Sequence, residues 1–324
     1  MIHQSQSFRF TTDSVPAPER VDAVRKLRDR GIIPIEPLPN RPVHVDVAKW
    51  FLPGLGILSG TLSGVRQVGT PQAENDDLLF GINVTGPGVV VQRGREVMPV
   101  GGDAFLMNIA AGAFAVSRPR RGQFFGLRVP RRAIAPLVRG LADDRLRLIP
   151  RTTDTVTLLV SYLRGLLGGR LLTAPESARL VVTHVHDLIA LSLGASGEAA
   201  ALAEDRSIGA ARLQAIKSDI VANLEDERLS IGTIAVRHGV TSRYVHRLFE
   251  REGITYTQFV LRQRLERVYR VLRDPRFDAS TISSIVFDAG FGDLSYFNRV
   301  FKLHYRCTPS DVRKLDALST TDRT

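Results

Sequence analysis

One short stretch decides how the last third of the chain folds: residues Gly290 to Lys302 read GFGDLSYFNRVFK. Asp293 is a residue type that often begins helices, and the apolar side chains after it recur at the 3.6-residue period of an amphipathic helix. Phe297, Val300 and Phe301 form the apolar face. The opposite face carries Ser295, Asn298, Arg299 and Lys302. The stretch therefore predicts a helix with one buried side and one polar side that can meet a partner.

The residues just before this stretch complete a helix-turn-helix pattern. Apolar side chains recur at positions 282, 285, 286 and 289, which fits a short amphipathic helix. Gly290 follows directly, at the position where a helix that ends in the left-handed conformation favours glycine. Two short helices joined by a tight turn are therefore expected here, with the second one presenting its polar face.

The same pattern occurs earlier in the chain. Ser230 is the predicted N-cap of a first helix, and Gly239 is its turn glycine. Thr241 is the predicted N-cap of a second helix, Ser242 to Arg251. The inward side chains of that second helix are Val245, Leu248 and Phe249, and the outward ones are Arg243, His246 and Arg247. The last third of the chain therefore contains a doubled helix-turn-helix.

A longer helix is expected between the two units, from Thr255 to Arg273. Thr255 and Gln258 form a capping box, and apolar residues at 261, 265, 268 and 272 make one stripe. Asp274 and Pro275 end the helix. Its length is about 27 Å at 1.5 Å per residue. Because successive major-groove faces of B-DNA lie roughly 34 Å apart, such a helix could hold two groove-reading units side by side.

The charge of the chain favours a polyanion as partner. The 324 residues carry 44 Lys and Arg against 33 Asp and Glu, a net charge of +11. Residues 206–324 hold 20 basic and 14 acidic side chains, whereas residues 1–205 hold 24 and 19. An arginine-rich proteome would also raise the charge, since only five of the 44 are lysine. Composition therefore supports a nucleic acid as partner, and the motifs must locate the site.

The segment Leu229 to Arg313 resembles the DNA-binding domain of the AraC/XylS family of bacterial transcription regulators. The match rests on both helix-turn-helix units, on the spacer helix, and on the sequences from Gly290 to Lys302 and from Thr308 to Arg313. Arg306 departs from the family, which usually has glycine there, so it either strains the end of the last helix or moves that end by one residue. The resemblance implies double-stranded DNA and RNA polymerase as partners.

The outward faces of the two second helices are the predicted DNA contacts. Arginine can form paired hydrogen bonds with guanine in the major groove, and groups at helix N-termini can contact phosphate. Lys302 is expected to touch phosphate or water rather than a base. The complete predicted set is Thr241, Ser242, Arg243, His246, Arg247, Thr255, Ser295, Asn298, Arg299 and Lys302.

The N-terminal part predicts a β-rich domain followed by helices. Its short apolar or alternating runs, broken by glycine and proline, favour an antiparallel sandwich or a small barrel. The predicted strands are Val43 to Val47, Leu78 to Val84, Val89 to Gln92, Glu96 to Met98, Ala104 to Asn108, Phe114 to Ser117 and Phe124 to Val129. The predicted helices are Pro130 to Val138, Thr153 to Leu167 and Pro175 to about Leu193.

This part also resembles the cupin-like effector-binding domain of one branch of the family, through residues 91–95, 99–103 and 127–130. The resemblance implies a barrel that binds a small-molecule effector. The pocket residues stay open, because a register error of one residue exchanges the two faces of a strand. The arginines at 118, 120, 121, 131 and 132 are expected at the solvated surface, although an anionic effector such as a carboxylate could use one of them.

No metal, cofactor or catalytic residue is predicted. Metal-dependent cupin enzymes need several histidines and a glutamate aimed into the barrel, and the strand region holds only His44. His184 and His186 lie on a predicted helix, where side chains two positions apart diverge by about 200° and cannot chelate one ion by themselves. We therefore expect a regulator and not an enzyme.

The sequence favours the cytoplasm. Cys307 is the only cysteine, so no disulfide can form within the chain. No apolar run reaches the length of a membrane span, and the first residues lack the pattern of a secretory signal. No membrane partner is expected.

Together these features predict an α+β protein. Residues 1–193 would form a cupin-like β barrel with a helical dimerisation segment, residues 194–209 a linker, and residues 210–324 an all-α double helix-turn-helix domain. The apolar stripe on Pro175 to Leu193 motivates a homodimer, and an effector would shift the population of dimer arrangements that reach DNA. Two alternatives stay open: a constitutive DNA-binding regulator with a vestigial barrel, and a metal-dependent cupin enzyme fused to a DNA-binding domain.

Overall fold

The computed structural model describes residues 7–26, 34–71, 76–138, 141, 144–167, 175–226 and 228–314. The chain divides into two compact units, Met1–Arg212 and Leu213–Thr324. The first unit is built on β-sheets covered by helices, and the second is helical. The predicted α+β class is confirmed.

The strands of the first unit form two antiparallel sheets in the described residues. The strands are β1 (Ser7–Thr11), β2 (Ile35–Pro37), β3 (His44–Leu52), β4 (Leu55–Ser63), β5 (Val65–Gly69), β6 (Asp77–Asn83), β7 (Val89–Gln92), β8 (Arg95–Val97), β9 (Ala104–Asn108), β10 (Phe114–Arg118), β11 (Gly122–Pro130) and β12 (Arg147–Ile149). The larger sheet has the order β1-β3-β4-β11-β6-β9-β12, and the smaller one β2-β5-β10-β7-β8.

The larger sheet is buried on both faces. In β6, Phe80 and Ile82 join the core formed with the helices, while Leu79 joins a second core formed with the smaller sheet. In β9, Leu106 and Phe105 divide between the same two cores. Because successive side chains of a strand point to opposite faces, a sheet covered on both sides needs apolar residues at every position. This explains the nearly continuous apolar runs that predicted these strands.

The β region is an open sandwich and not the closed barrel that we expected. Every described strand pairing lies within one sheet or the other, so the two sheets meet face to face and do not join into one cylinder. Each predicted strand overlaps an observed one. The pattern missed β1, β2, β4, β5 and β12. In β4 the apolar alternation is interrupted by Gly56 and Gly60, and in β5 by Arg66 and Gln67.

The helices of the first unit include α1 (Arg20–Arg25), α2 (Arg131–Ile134), α3 (Asp154–Leu167) and α4 (Pro175–Ser192). Helices α2, α3 and α4 pack on the outer face of the larger sheet, whereas Val24 of α1 is buried in a separate cluster with Ile35 of β2. The stripe of α4 that motivated a homodimer lies inside the core of this unit. Val185, Leu188 and Ile189 are fully buried in the same cluster as Leu159 and Leu163 of α3. The stripe is therefore covered within this chain and gives no support for a homodimer, which stays a prediction: an amphipathic helix shows the same period whether it packs on its own domain or on a partner.

A further helix, α5 (Glu198–Ala222), occupies most of the segment that was expected to be a linker. Arg206 and Ser207 of α5 each donate a hydrogen bond of 2.6 Å to the buried carboxylate of Asp187 on α4. Ala203 is also buried. Alanine is the strongest helix former, so an alanine-rich segment that resembles a flexible linker in composition is helical once it can bury its small side chains.

The helices of the second unit confirm the doubled helix-turn-helix. They are α6 (Ile231–Arg237), α7 (Ser242–Glu250), α8 (Tyr256–Leu272), α9 (Ile282–Asp288) and α10 (Leu294–Tyr305). Each predicted N-cap accepts a hydrogen bond from the third backbone N–H that follows it. The capping residues are Ser230, Thr241, Thr255 and Asp293. The predicted capping box between Thr255 and Gln258 is complete, with bonds of 2.9 and 3.1 Å.

Helix α8 belongs to both cores of this unit. Its first part, with Tyr256 and Phe259, is buried in the cluster that contains α6 and α7. Its last part, with Val268 and Leu272, is buried in the cluster that contains α9 and α10. The helix therefore fixes the two helix-turn-helix units to one rigid element.

The end of α10 stores conformational strain at Arg306. This residue is the C-cap and adopts the left-handed conformation, with φ 60° and ψ 15°. Its backbone N–H donates to the Lys302 carbonyl at 3.0 Å, so the helix end has not moved and the strain is real. Left-handed backbone costs about 1 to 2 kcal/mol for a residue with a Cβ atom and little for glycine.

We expect Arg306→Gly to raise the free energy of unfolding by about 0.5 to 1 kcal/mol, because relief of the strain exceeds the entropy that glycine adds to the unfolded chain. Urea denaturation followed by far-ultraviolet circular dichroism measures the change. Leu303→Gly is the control, because Leu303 is exposed within the same helix. This variant should lower the free energy of unfolding by about 1 kcal/mol. Equal destabilisation by both variants would contradict the assignment of strain to Arg306.

Candidate nucleic-acid interface

The first outward face is built by the turn between α6 and α7. Gly239 takes the left-handed conformation with φ 61°, and the Val240 N–H donates to the Ala235 carbonyl at 2.9 Å. Thr241 then caps α7, and its side-chain oxygen accepts from the Tyr244 N–H at 3.2 Å. The inward residues Val245, Leu248 and Phe249 are buried as predicted. With that side anchored, the polar side of α7 must face away from the core.

The polar side of α7 lines a groove at the protein surface. Arg243, His246 and Arg247 are exposed on it. The groove is lined by Thr241, Arg243, Tyr244, His246, Arg247 and Glu250. Arg247 places its guanidinium 5.0 Å from the ring centre of Tyr244, within the range of a cation–π contact. The aromatic ring therefore restricts the arginine side chain before any partner binds.

The second outward face repeats this arrangement on α10. Asp293 caps the helix and accepts from the Tyr296 N–H at 2.8 Å. The predicted contact residues Ser295, Asn298, Arg299 and Lys302 are all exposed. Arg299 places its guanidinium 5.6 Å from the ring centre of Tyr296, a contact of the same kind as that between Arg247 and Tyr244. Both faces therefore present a tyrosine and an arginine three residues apart, near the N-terminus of the helix.

The sequence pattern did not single out Tyr244, Tyr296 or Glu250, which also belong to these faces. A direct alignment of SRYVHRLFE (242–250) with LSYFNRVFK (294–302) would have found both tyrosines, since each stands at the third position. The same alignment pairs Arg243 with Ser295 and His246 with Asn298. It also pairs Glu250 with Lys302, so the first face carries two arginines and one acid, whereas the second carries one arginine and one lysine. The caps differ in the opposite direction, because Thr241 is neutral and Asp293 is an acid.

The predicted DNA contacts lie on two helix faces, one on α7 and one on α10, and Thr255 lies apart from both at the start of α8. Of the predicted set, only residues of the first face line the groove on α7. The second set lies on α10, and Thr255 begins α8. The Thr241 and Thr255 hydroxyl oxygens accept hydrogen bonds from their own helices, which leaves the hydroxyl protons available to an acceptor such as phosphate.

The histidines outside this interface have separate contacts. His184 Nδ1 lies 2.8 Å from the Tyr162 hydroxyl, and His186 Nε2 lies 2.9 Å from the Gly54 carbonyl oxygen. His44 Nδ1 is 3.2 Å from an Asp13 carboxylate oxygen. In the described part of the chain, no three His, Cys, Asp or Glu side chains lie together so that they could hold a metal ion. Its helices are also too short or too polar to cross a lipid bilayer.

Comparison with known sequences gives three findings. Residues 234–315 match the family described as "Helix-turn-helix domain". The transcriptional activator RhrA of Rhizobium meliloti (strain 1021) is 30% identical over 202 residues, which cover 62% of this chain and 62% of RhrA. The transcriptional activator NphR of a Rhodococcus species is 32% identical over 102 residues, which cover 32% of this chain and 30% of NphR. The matched region is therefore less than two thirds of either relative.

Among solved structures, the crystal structure of the AraC-like transcriptional activator CuxR covers 88% of this chain and 99% of its own. The sequence identity is 16% and the TM-score is 0.47.

Proposed function

We propose that the last third of the chain is a double helix-turn-helix domain of the AraC/XylS family, and that the protein is a sequence-specific transcription regulator that binds double-stranded DNA. The observation that carries the proposal is the repeated exposed face. Two capped helices, each supported by its own core, present the same tyrosine and arginine outward. Two helix faces that contact only solvent need not carry the same side chains. Two faces that bind similar DNA segments need similar side chains, which explains the repetition.

In this proposal α7 and α10 each enter a major groove. Arg243 and Arg247 on α7, and Arg299 on α10, have the donor geometry to bond guanine O6 and N7. His246, Ser295 and Asn298 supply further hydrogen bonds to bases or backbone, while Ser242, Thr241 and Thr255 are placed at helix N-termini, where phosphate binds. Helix α8 spans about 26 Å at 1.5 Å per residue, which suits two successive grooves.

The role of transcription regulator also implies RNA polymerase, a small-molecule effector and a second copy of this chain as partners. RhrA and NphR are named transcriptional activators, which supports activation through RNA polymerase. A small-molecule effector in the first unit would shift the population of DNA-competent states, and a homodimer would double the number of DNA contacts. A regulator of transcription works where the chromosome is, so we place it in the cytoplasm, with no catalytic step and no cofactor.

The experiment that tests this function is genome-wide mapping of the DNA bound by the full chain. We expect discrete sites that share a motif made of two segments about 10 base pairs apart. A fragment from these sites should then bind the purified protein at least 1,000-fold more tightly than random DNA, the lower end for specific regulators. Even coverage of the genome with no shared motif would overturn the proposal.

We expect Lys302→Ala to weaken binding to every DNA sequence by the same factor, because Lys302 lies near the end of α10 and meets phosphate. The slope of log affinity against log salt should fall in magnitude by about 0.9, the value for one lost phosphate contact. Titrations of operator and random DNA at several salt concentrations measure both effects. Arg276→Ala is the control, since Arg276 is paired with Asp274 at 2.6 Å outside both faces. A loss confined to operator DNA would show that Lys302 reads a base.

A further inference from the structure

The interior of the first unit holds a cavity of about 480 Å³ between its two sheets. Side chains from β3, β4, β6, β9 and β11 of the larger sheet and from β5 and β10 of the smaller sheet line it. Four phenylalanines have their side chains on the cavity side of their strands: Phe51, Phe105, Phe114 and Phe124. Pockets for small organic ligands measure about 300 to 1,000 Å³ and are mostly apolar. The cavity thus has the size and the lining of a ligand site.

A buried arginine lies at this cavity. Arg118 occupies an inward position of β10 and is 3% exposed. It donates to Gln67 Oε1 at 3.1 Å and to Asn83 Oδ1 at 3.3 Å, and its guanidinium lies 4.2 Å from the ring centre of Phe124. Three of its five N–H groups have no partner among the described residues. The Asn83 amide is itself fixed, because its Nδ2 donates to the Pro99 carbonyl at 3.0 Å.

The partners of Arg118 are neutral, so its positive charge is not balanced within the described part of the cavity. Burial lowers the pKa of Arg118 to about 10, which still leaves it protonated at neutral pH. Lys49 and Arg128 add two more basic side chains to the lining, which includes no described acidic side chain. Arg128 is paired with Asp77 at 2.7 Å. A buried charge without a counter-charge is costly, and this cost falls when an anion binds beside it.

We propose that this cavity binds an organic monocarboxylate with an apolar body, whose carboxylate pairs with Arg118 and whose hydrocarbon part lies against the phenylalanines. The planar guanidinium matches a carboxylate with two parallel hydrogen bonds. A sugar fits less well, because its many hydroxyls need more polar partners than the lining offers. The inference rests on the proposed function only in naming this molecule as the effector, since binding to the cavity requires no DNA.

Isothermal titration calorimetry of the full chain tests the inference with two matched pairs of probes. The pairs are 2-naphthoate with 2-naphthamide and decanoate with decanamide, so that one pair is aromatic and the other aliphatic. We expect at least one carboxylate to bind once per chain and at least tenfold more tightly than its amide. The carboxylate that binds more tightly shows whether the cavity prefers an aromatic or an aliphatic hydrocarbon part. No binding by either carboxylate, or equal binding of a carboxylate and its amide, would overturn the inference.

Variants then assign the preference to one side chain. Arg118→Met should remove the advantage of the carboxylate, a loss of at least tenfold, and leave the amide unchanged. Arg120→Met is the matched control, because Arg120 is exposed two residues away and should have no effect. Gln67→Glu is a nearly isosteric second variant that gives Arg118 an internal counter-charge. It should also abolish carboxylate binding, and normal carboxylate affinity in this variant would contradict the role of Arg118.

Failure of this inference can be told apart from failure of the proposed function. The same preparations are titrated with operator DNA in the absence of any probe. Wild-type protein that binds operator DNA but no carboxylate leaves the DNA-binding function intact and removes only the ligand assignment. If the wild-type protein binds a carboxylate through Arg118 but shows no sequence preference on DNA, the proposed regulatory function is wrong and the ligand site in the cavity stands.

Discussion

Gly290→Ala is expected to lower the free energy of unfolding of the second unit by about 3 kcal/mol. Gly290 has φ 88°, where a Cβ atom costs about 1 to 2 kcal/mol. A Cβ atom there would also lie 2.2 Å from the Leu224 carbonyl oxygen and 2.8 Å from Arg264 Nη2. Arg264 Nε donates to that same carbonyl at 3.2 Å, so the clash displaces backbone and a hydrogen-bonded side chain together, for about 1 to 3 kcal/mol more.

The equivalent glycine of the first helix-turn-helix provides the control. Gly239 has φ 61°, but a Cβ atom there would have no atom within 4 Å. Gly239→Ala should therefore cost only the conformational part, about 1 to 2 kcal/mol. Urea denaturation of both variants, followed by circular dichroism, measures the difference. Equal losses in the two variants would mean that the contact with Leu224 contributes nothing beyond the left-handed backbone.

Arg247→Ala is expected to weaken binding to operator DNA by about 10- to 100-fold, in line with the 1 to 3 kcal/mol of discrimination that a paired arginine–guanine contact provides. Arg247 is exposed, lies in the groove on α7, and is held over the Tyr244 ring. The loss should be accompanied by relaxed preference at one base pair, while affinity for random DNA changes little. Competition titrations against a set of single-base operator variants measure both quantities.

Comparison of Arg247→Ala with Lys302→Ala distinguishes a side chain that recognises a base from one that contacts only phosphate. Lys302→Ala should shift operator and random DNA together, whereas Arg247→Ala should shift operator DNA alone. Tyr244→Leu removes the ring beneath Arg247 and should produce part of the same loss, because the arginine is then less restricted before binding. If Arg247→Ala weakens random DNA as strongly as operator DNA, Arg247 is an anchor and its assignment as a reading residue is wrong.

The second unit was predictable from sequence because its signals are local. Ser230, Thr241 and Asp293 begin helices by bonding to N–H groups a few residues away, and such bonds depend on neighbours in the chain. Gly239 and Gly290 mark turns for an equally local reason. The exposed faces then follow from the helical period once the apolar side is assigned. The alignment of α7 with α10 contains the tyrosines as well, although only a direct comparison of the two helices shows them.

The first unit was less predictable because its structure depends on distant contacts. The stripe with Val185 and Leu188 on α4 has the same period whether a second chain or the sheet covers it, and the sheet covers it. The alanine-rich start of α5 resembles a linker until Asp187 is seen to hold Arg206 and Ser207. Arg118 seemed a surface arginine. Its position after Phe114 and Val116 in an alternating strand was the signal that it faces inward.

We propose that two equivalent helices of one chain, α7 and α10, read two successive major grooves. Methylation interference at guanine N7 on an operator fragment tests this proposal, because N7 lies in the major groove where arginine bonds. We expect two clusters of interfering guanines on one face of the duplex, about 10 base pairs apart. Arg247→Ala should remove one cluster and Arg299→Ala the other. A single cluster, or two that respond together to either variant, would contradict this proposal.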